Sequence, residues 1–239
     1  MKLEAYLKKV ILLTIVLGLV YAGITSVFGV QGATTINAGT TSRASFVNSS
    51  LATIPVEAGN VTELNITGTS VTTHWAGFYG EITGDITLST SDGSVFYNWS
   101  GLGALSGEVF ASTDTGVSWT GLDCADGAEV ATIEGLLGID STDADSIGAT
   151  YNSISHPDFA VGGIPISGCN STNAYTNTGL DPSAFYQIFL TDSEGDPVYT
   201  TLINESLTGF NAAAHDFQLL VGESDGVGST PLYFYLELG

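Results

Sequence analysis

The stretch AFYQIFLTDSEGDPVYTTLI, residues 184–203, decides the fold. Its two halves are rich in aromatic and β-branched residues, the types that fit a pleated, half-buried surface. Between them, Asp192-Ser193-Glu194-Gly195-Asp196 is a turn, so the segment reads as a β-hairpin. Outward from it, strand signals recur in NVTELNIT, SVTTHWAGFYG, EITGDITLS, SVFYNWS, GEVFAST, GVSWTG, HDFQLLV and PLYFYLEL. In EITGDITLS, Ile82, Ile86 and Leu88 alternate with Glu81, Thr83, Asp85 and Thr87, the pattern of a half-buried strand. In NVTELNIT the same alternation places Thr62, Leu64 and Ile66 toward a core and Val61, Glu63 and Asn65 toward water. The aromatic residues of LYFYL fall on both parities, which implies that both faces of that strand are covered.

One segment reads as a short helix: in GAEVATIEGLLGI, Val130, Ile133, Leu136 and Leu137 fall at helical spacing between flanking glycines. Roughly ten strands punctuated by turns predict an all-β fold, a single β-sandwich of jelly-roll or immunoglobulin-like type. The expected organisation is a signal peptide or apolar helix over 1–32, an extended Ser/Thr-rich arm over 33–58 and the sandwich over 59–239.

Charge narrows the function. The 239 residues hold four Lys and Arg against 25 Asp and Glu. Three of the four bases (Lys2, Lys8, Lys9) lie in the first nine residues, so the chain from 33 onward sets Arg43 alone against 24 acids, a net −23. Such a surface repels nucleic acid and anionic lipid. Charged residues make up only 12% against a usual ~25%, and hydrophobic residues reach 44%, which excludes disorder and leaves much neutral surface for sugars or neighbouring subunits to cover.

The N-terminus has a basic end, an apolar run from Val10 and a small-residue finish at Val30-Gln31-Gly32, the layout of a secretory leader cleaved near Gly32. The rival reading keeps Val10 to Val30 as an uncleaved helix, long enough to approach a membrane span or to form the core of a type IV pilin-like polymer. Lys9 abuts Val10 without the small residue that pilin processing requires. Export also fits six Asn-x-Ser/Thr sequons, at Asn48, Asn60, Asn65, Asn98, Asn170 and Asn204, where chance gives roughly two or three. Cys124 and Cys169 form the only possible intrachain pair and are expected to be a disulfide.

No catalytic constellation emerges. His74, His156 and His215 are scattered, and no Gly-x-Ser-x-Gly elbow supports a nucleophile, so no enzymatic activity is expected. The acidic loop DSTDADS offers Asp140, Asp143 and Asp145 as a weak calcium site without the EF-hand pattern, and a solvated turn explains it as well. Asp192, Glu194 and Asp196 form a second, weaker group. No other cofactor is expected.

The run EAGNVTELNITGTSVTTHWAGFYGEITGDITLS, residues 57–89, followed by VFYNWS and GEVFAST, resembles a type of secreted archaeal surface protein in which a Trp-x-Gly-Phe/Tyr-Tyr-Gly strand follows a Gly-Asn-Val-Thr segment. The resemblance covers about residues 42–112. Its overall plan is similar to archaeal filament subunits that assemble by strand donation, and it implies a structural protein of the cell surface, self-associating head to tail, with other surface proteins or glycans as further partners. In such an assembly an extended arm fills the open sheet edge of the next subunit. Residues 34–47 are the candidate donor, with Ile36, Phe46 and Val47 as pocket-fillers; the same stretch reads equally as a spacer or as the domain's own first strand. The alternative function is a carbohydrate-binding or adhesive module at the surface.

Overall fold

The computed structural model describes residues 30–44, 53–99, 106–224 and 230–239. The strands of the N-terminal half are β1 (Gln31–Gly32), β2 (Trp75–Gly80), β3 (Ile86–Ser89), β4 (Val95–Trp99), β5 (Gly107–Ser112) and β6 (Asp123–Cys124). Helices α1 (Gly127–Leu137) and α2 (Ile147–Thr150) follow. Next come β7 (Phe159–Val161), β8 (Ile164–Ile166), β9 (Ser171–Asn173), β10 (Tyr175–Thr176) and β11 (Gly179–Leu180). The chain closes with β12 (Tyr186–Thr191), β13 (Pro197–Leu202), β14 (Leu207–Thr208), β15 (Ala214–His215), β16 (Phe217–Gly222) and β17 (Tyr233–Leu238).

The predicted hairpin is β12–β13, paired antiparallel from Gln187↔Thr201 to Thr191↔Pro197. Its turn is organised by one buried carboxylate. Asp192 accepts the N–H groups of Glu194 (3.0 Å), Asp196 (3.1 Å) and Ser118 (3.0 Å), while Gly195 takes φ 85°, a conformation that costs glycine little.

This hairpin is the centre of a seven-stranded antiparallel sheet in the order β1-β17-β5-β13-β12-β6, with β9 pairing the other end of β12. The strict alternation of strand side chains makes two cores, one on each face. Val109, Ala111, Phe189 and Tyr199 point to the first, where Leu219 and Val221 of β16, Trp75 and Phe78 of β2, and Ile133, Ile147 and Tyr151 of the helical segment cover them. Phe110, Ile188, Leu190 and Val198 point to the second, under Val117, Leu122, Val161, Ile166 and Cys169. Phe110, Ile188, Phe189 and Leu190 are fully buried, each contributing roughly 1.5–3 kcal/mol. The all-β sandwich is therefore as expected, and the doubly covered β17 accounts for its run of aromatic residues.

Among the described residues the second layer has two strands, β2 and β16. Gln187 joins it to the central sheet. Its buried amide donates to Phe185 O (2.8 Å), Thr201 Oγ1 (3.1 Å) and Gln218 O (2.5 Å), and its carbonyl accepts Leu220 N–H (2.9 Å). One side chain thus satisfies backbone groups of β16 that a neighbouring strand would otherwise take.

α1 lies on the expected segment. Asp126 and Glu129 form a reciprocal capping box and Gly138 closes the helix in the left-handed region. Val130, Ile133 and Leu137 face the first core, but Leu136 is exposed.

Two expectations are corrected. NVTELNIT forms no strand: residues 53–70 are exposed, with Val61, Leu64 and Ile66 in solvent and no strand of the described residues paired to them. GVSWTG forms a 3-10 turn at Trp119–Gly121, because Trp119 packs edge-on against Phe110 (5.2 Å) and Tyr235 (4.9 Å) and draws the chain across the sheet face. The four-residue turn α2 follows the expected helix α1. The candidate apolar helix falls, apart from Val30, outside the described residues; among these no helix is long and apolar enough to cross a membrane.

Candidate functional site

The chain leaves β2 as a strand pair that none of the described residues covers. β3 and β4 are antiparallel, with Ile86↔Trp99, Thr87↔Asn98 and Leu88↔Tyr97 opposite each other. Every residue of both strands is exposed. Period-two alternation puts Ile86, Leu88, Tyr97 and Trp99 on one face, where the Tyr97 and Trp99 rings meet at 4.8 Å. Thr87 and Asn98 occupy the other, and Asn98 donates to Asp85 (3.2 Å). The register slips between Leu88 and Ser89, and Phe96 beside it is 80% exposed. A two-stranded hairpin with a bare apolar face has little stability of its own in water.

The second uncovered feature is the arm. Residues 34–44 and 53–70 are exposed and hold no regular structure, so the exposed stretch runs past 58 toward β2. Ile36 stands in solvent, 59% exposed, and fills no pocket among the described residues. Phe46 and Val47, the other expected pocket-fillers, lie outside the described residues. Ser42, Arg43 and Ala44 line a groove with Trp75, Ala76 and Glu223 at the start of β2.

The third feature is the edge of the central sheet. β1 pairs the outer side of β17 through Gln31↔Leu236 and Gly32↔Tyr235, and Ala33 N–H donates to Phe234 O (3.0 Å). Two residues thus cap a strand of six. Val30 packs against the second core.

Of the sequons, Asn60, Asn65, Asn98 and Asn170 are exposed, Asn204 is half-buried, and Asn48 lies outside the described residues. The expected disulfide Cys124–Cys169 is present, with Cα atoms 5.0 Å apart, tying β6 to the lead-in of β9. Such a bond fits an oxidising compartment.

The expected acidic loop is built around backbone. Asp140 accepts N–H and O–H of Thr142 (both 2.8 Å), which hold its carboxyl below the usual range. Asp145 accepts the Thr72 hydroxyl, and its carbonyl takes the Trp75 indole N–H (2.7 Å), anchoring the end of the arm. Among the described residues, the carboxylates that converge within 4.8 Å are instead Asp114, Asp192 and Asp196. Partial burial, then Asp192, Asp114 and Glu194, push the Asp196 carboxyl up. This corner has the oxygen chemistry that calcium takes. Asp192 and Asp196 were legible as the hairpin turn, while Asp114 arrives from the end of β5 through tertiary folding.

A second acidic pair carried no sequence signal. Glu108 and Glu237 sit opposite each other on β5 and β17. Burial, then the Glu237 charge, pushes the Glu108 carboxyl up to about 8. Glu237 is also raised by burial, while accepting Gly162 N–H (2.9 Å) holds it back.

The histidines lie apart. His156 Nε2 accepts Cys169 N–H (3.0 Å), His215 Nε2 meets Asn211 Oδ1 (2.9 Å), and His74 stands at the head of β2 with its Nδ1 buried and unpartnered. The chain matches no protein-family model, no curated protein and no solved structure.

Proposed function

We propose that this protein is a non-enzymatic structural subunit of an extracellular filament or surface layer, of the archaeal type its 57–89 segment resembles, assembling head to tail by β-strand donation. The β3–β4 hairpin carries the reading: its apolar face of Ile86, Leu88, Tyr97 and Trp99 has no cover among the described residues, as a surface completed by a neighbour requires. The arm adds what donation needs, an exposed extended segment with apolar side chains spaced along it. A head-to-tail contact of this kind propagates into an open fibre. Exposed sequons supply sugar to outward positions; one at Asn98 shields the polar face of the hairpin and leaves the apolar face free. The leader and the disulfide support export.

Electron microscopy of the secreted full chain beside a variant lacking residues 33–47 tests the proposal. The full chain forms filaments and the truncated one stays a folded monomer; filaments from the truncated chain would defeat donation by this arm. A second reading, adhesion to glycans, draws on the exposed Tyr97–Trp99 pair, since solvent-facing aromatic rings are a platform for sugars. Glycan-array binding by non-polymeric protein would favour it.

A further inference from the structure

The outer edge of the central sheet is closed by residues that leader removal takes away. With cleavage after Gly32, Val30, Gln31 and Gly32 depart. Val30 then vacates its seat on the second core, and the outer backbone of β17 loses its partners at Tyr235 and Leu236. An open strand edge beside an empty apolar seat is a template for another strand.

Six residues further on, the chain carries the same pattern. Val30-Gln31-Gly32-Ala33-Thr34 is matched by Ile36-Asn37-Ala38-Gly39-Thr40: a β-branched aliphatic, a carboxamide, two small residues and a threonine. A shift of six preserves strand parity, so each side chain keeps its face. Ile36 then falls on the Val30 seat, Asn37 opposite Leu236 and Ala38 opposite Tyr235. The added methyl of Ala38 is accommodated, because a Cβ built at Gly32 meets nothing within 4 Å.

We propose that leader removal unmasks the β17 edge and that Ile36–Thr40 of a second copy of this chain fills it, with Ile36 in the place of Val30. The inference rests on the strand-donation reading and identifies its acceptor. The molecule's own arm is poorly placed to refill the edge. Ser42–Ala44 lie in the groove with Trp75, Ala76 and Glu223. A slip of six residues would leave Thr40 and Thr41 to span what residues 34–41 span now. A second copy has no such tether.

Gly32↔Tyr235 is a non-hydrogen-bonded pair, since the adjoining Ala33 bonds Phe234, and such pairs bring Cα atoms close enough for a disulfide. The test expresses the full chain in a secreting host as two single variants, Ala38→Cys and Tyr235→Cys, and mixes the processed proteins under mild oxidation. Both native cysteines are bonded to each other, so the new thiols are the reactive ones. The expected result is a covalent dimer whose linked peptide joins positions 38 and 235, absent when either variant is omitted. Should Tyr235→Cys not be secreted, Asn37→Cys with Leu236→Cys reads the same register. Filaments without either link overturn the inference and leave the filament reading standing; the link without filaments does the reverse. A mature N-terminus that retains Val30 also overturns it.

Discussion

Replacing Glu108 with Gln tests whether the central sheet buries a like-charged pair. Glu108 faces Glu237 across β5 and β17 and titrates near 8 in the folded chain against an ordinary 4.5. Between those values the folded state holds a proton that the unfolded state has released. Stability is therefore fully present below about 4.5 and is lost as pH rises through 8. Each pH unit in that window is worth up to about 1.4 kcal/mol, so the whole interval amounts to about 4–5 kcal/mol, less wherever solvent reaches the carboxylate. Gln keeps the shape and cannot ionise. Urea unfolding followed by tryptophan fluorescence should find Glu108→Gln within about 1 kcal/mol of the parent at pH 5 and roughly 3–5 kcal/mol more stable at pH 9. The parent should lose stability across this range far more steeply than the variant. Parallel pH profiles for the two proteins, or a variant weaker than the parent at pH 9, would refute the buried pair.

Gln187→Leu should cost about 3 kcal/mol in the same assay, because it orphans the Leu220 N–H and Gln218 carbonyl inside the sandwich; a cost under 1 kcal/mol would mean that the amide bridge is dispensable. Replacing Cys124 and Cys169 together with Ala should lower stability by about 4 kcal/mol through the 45-residue loop they close, and calorimetry without reductant reads it directly. Tyr97→Ser with Trp99→Ser should leave unfolding within about 0.5 kcal/mol, since both rings are exposed, yet abolish filaments in the microscope. Filaments of normal yield would show that the hairpin face is not an assembly surface.

What the sequence disclosed was local. Asp192 and Gly195 specify their turn within five residues, the spacing of Val130, Ile133 and Leu137 marks α1, and two cysteines have one way to pair. What it withheld depended on distant partners. NVTELNIT and FQLLVG both suit a strand, but FQLLVG finds β2 to pair with and NVTELNIT finds no edge. Alternation records a capacity for pairing, and only the completed fold decides whether a neighbour exists. The same holds for the carboxylates. Asp140, Asp143 and Asp145 are close in sequence yet do not converge on one point, whereas β5 carries Asp114 to Asp192 and Asp196, and ladder register alone sets Glu108 against Glu237. Gln187 was illegible because a polar residue in a strand signals a solvent face until its four bonding partners are known.

The Cys124–Cys169 bond has a consequence for direction. It stitches β6 to the approach of β9, so the far side of β12 is finished by short strands held covalently in place, with Ser153 bridged to Ser171 beyond them. One rim of the sheet is thus sealed for good, while the other is shut by a two-residue latch. Blind lateral stacking, the route to amyloid, needs both rims free. Growth through the latched rim alone would join copies in one orientation only, and a filament of the proposed kind would then have a front and a back.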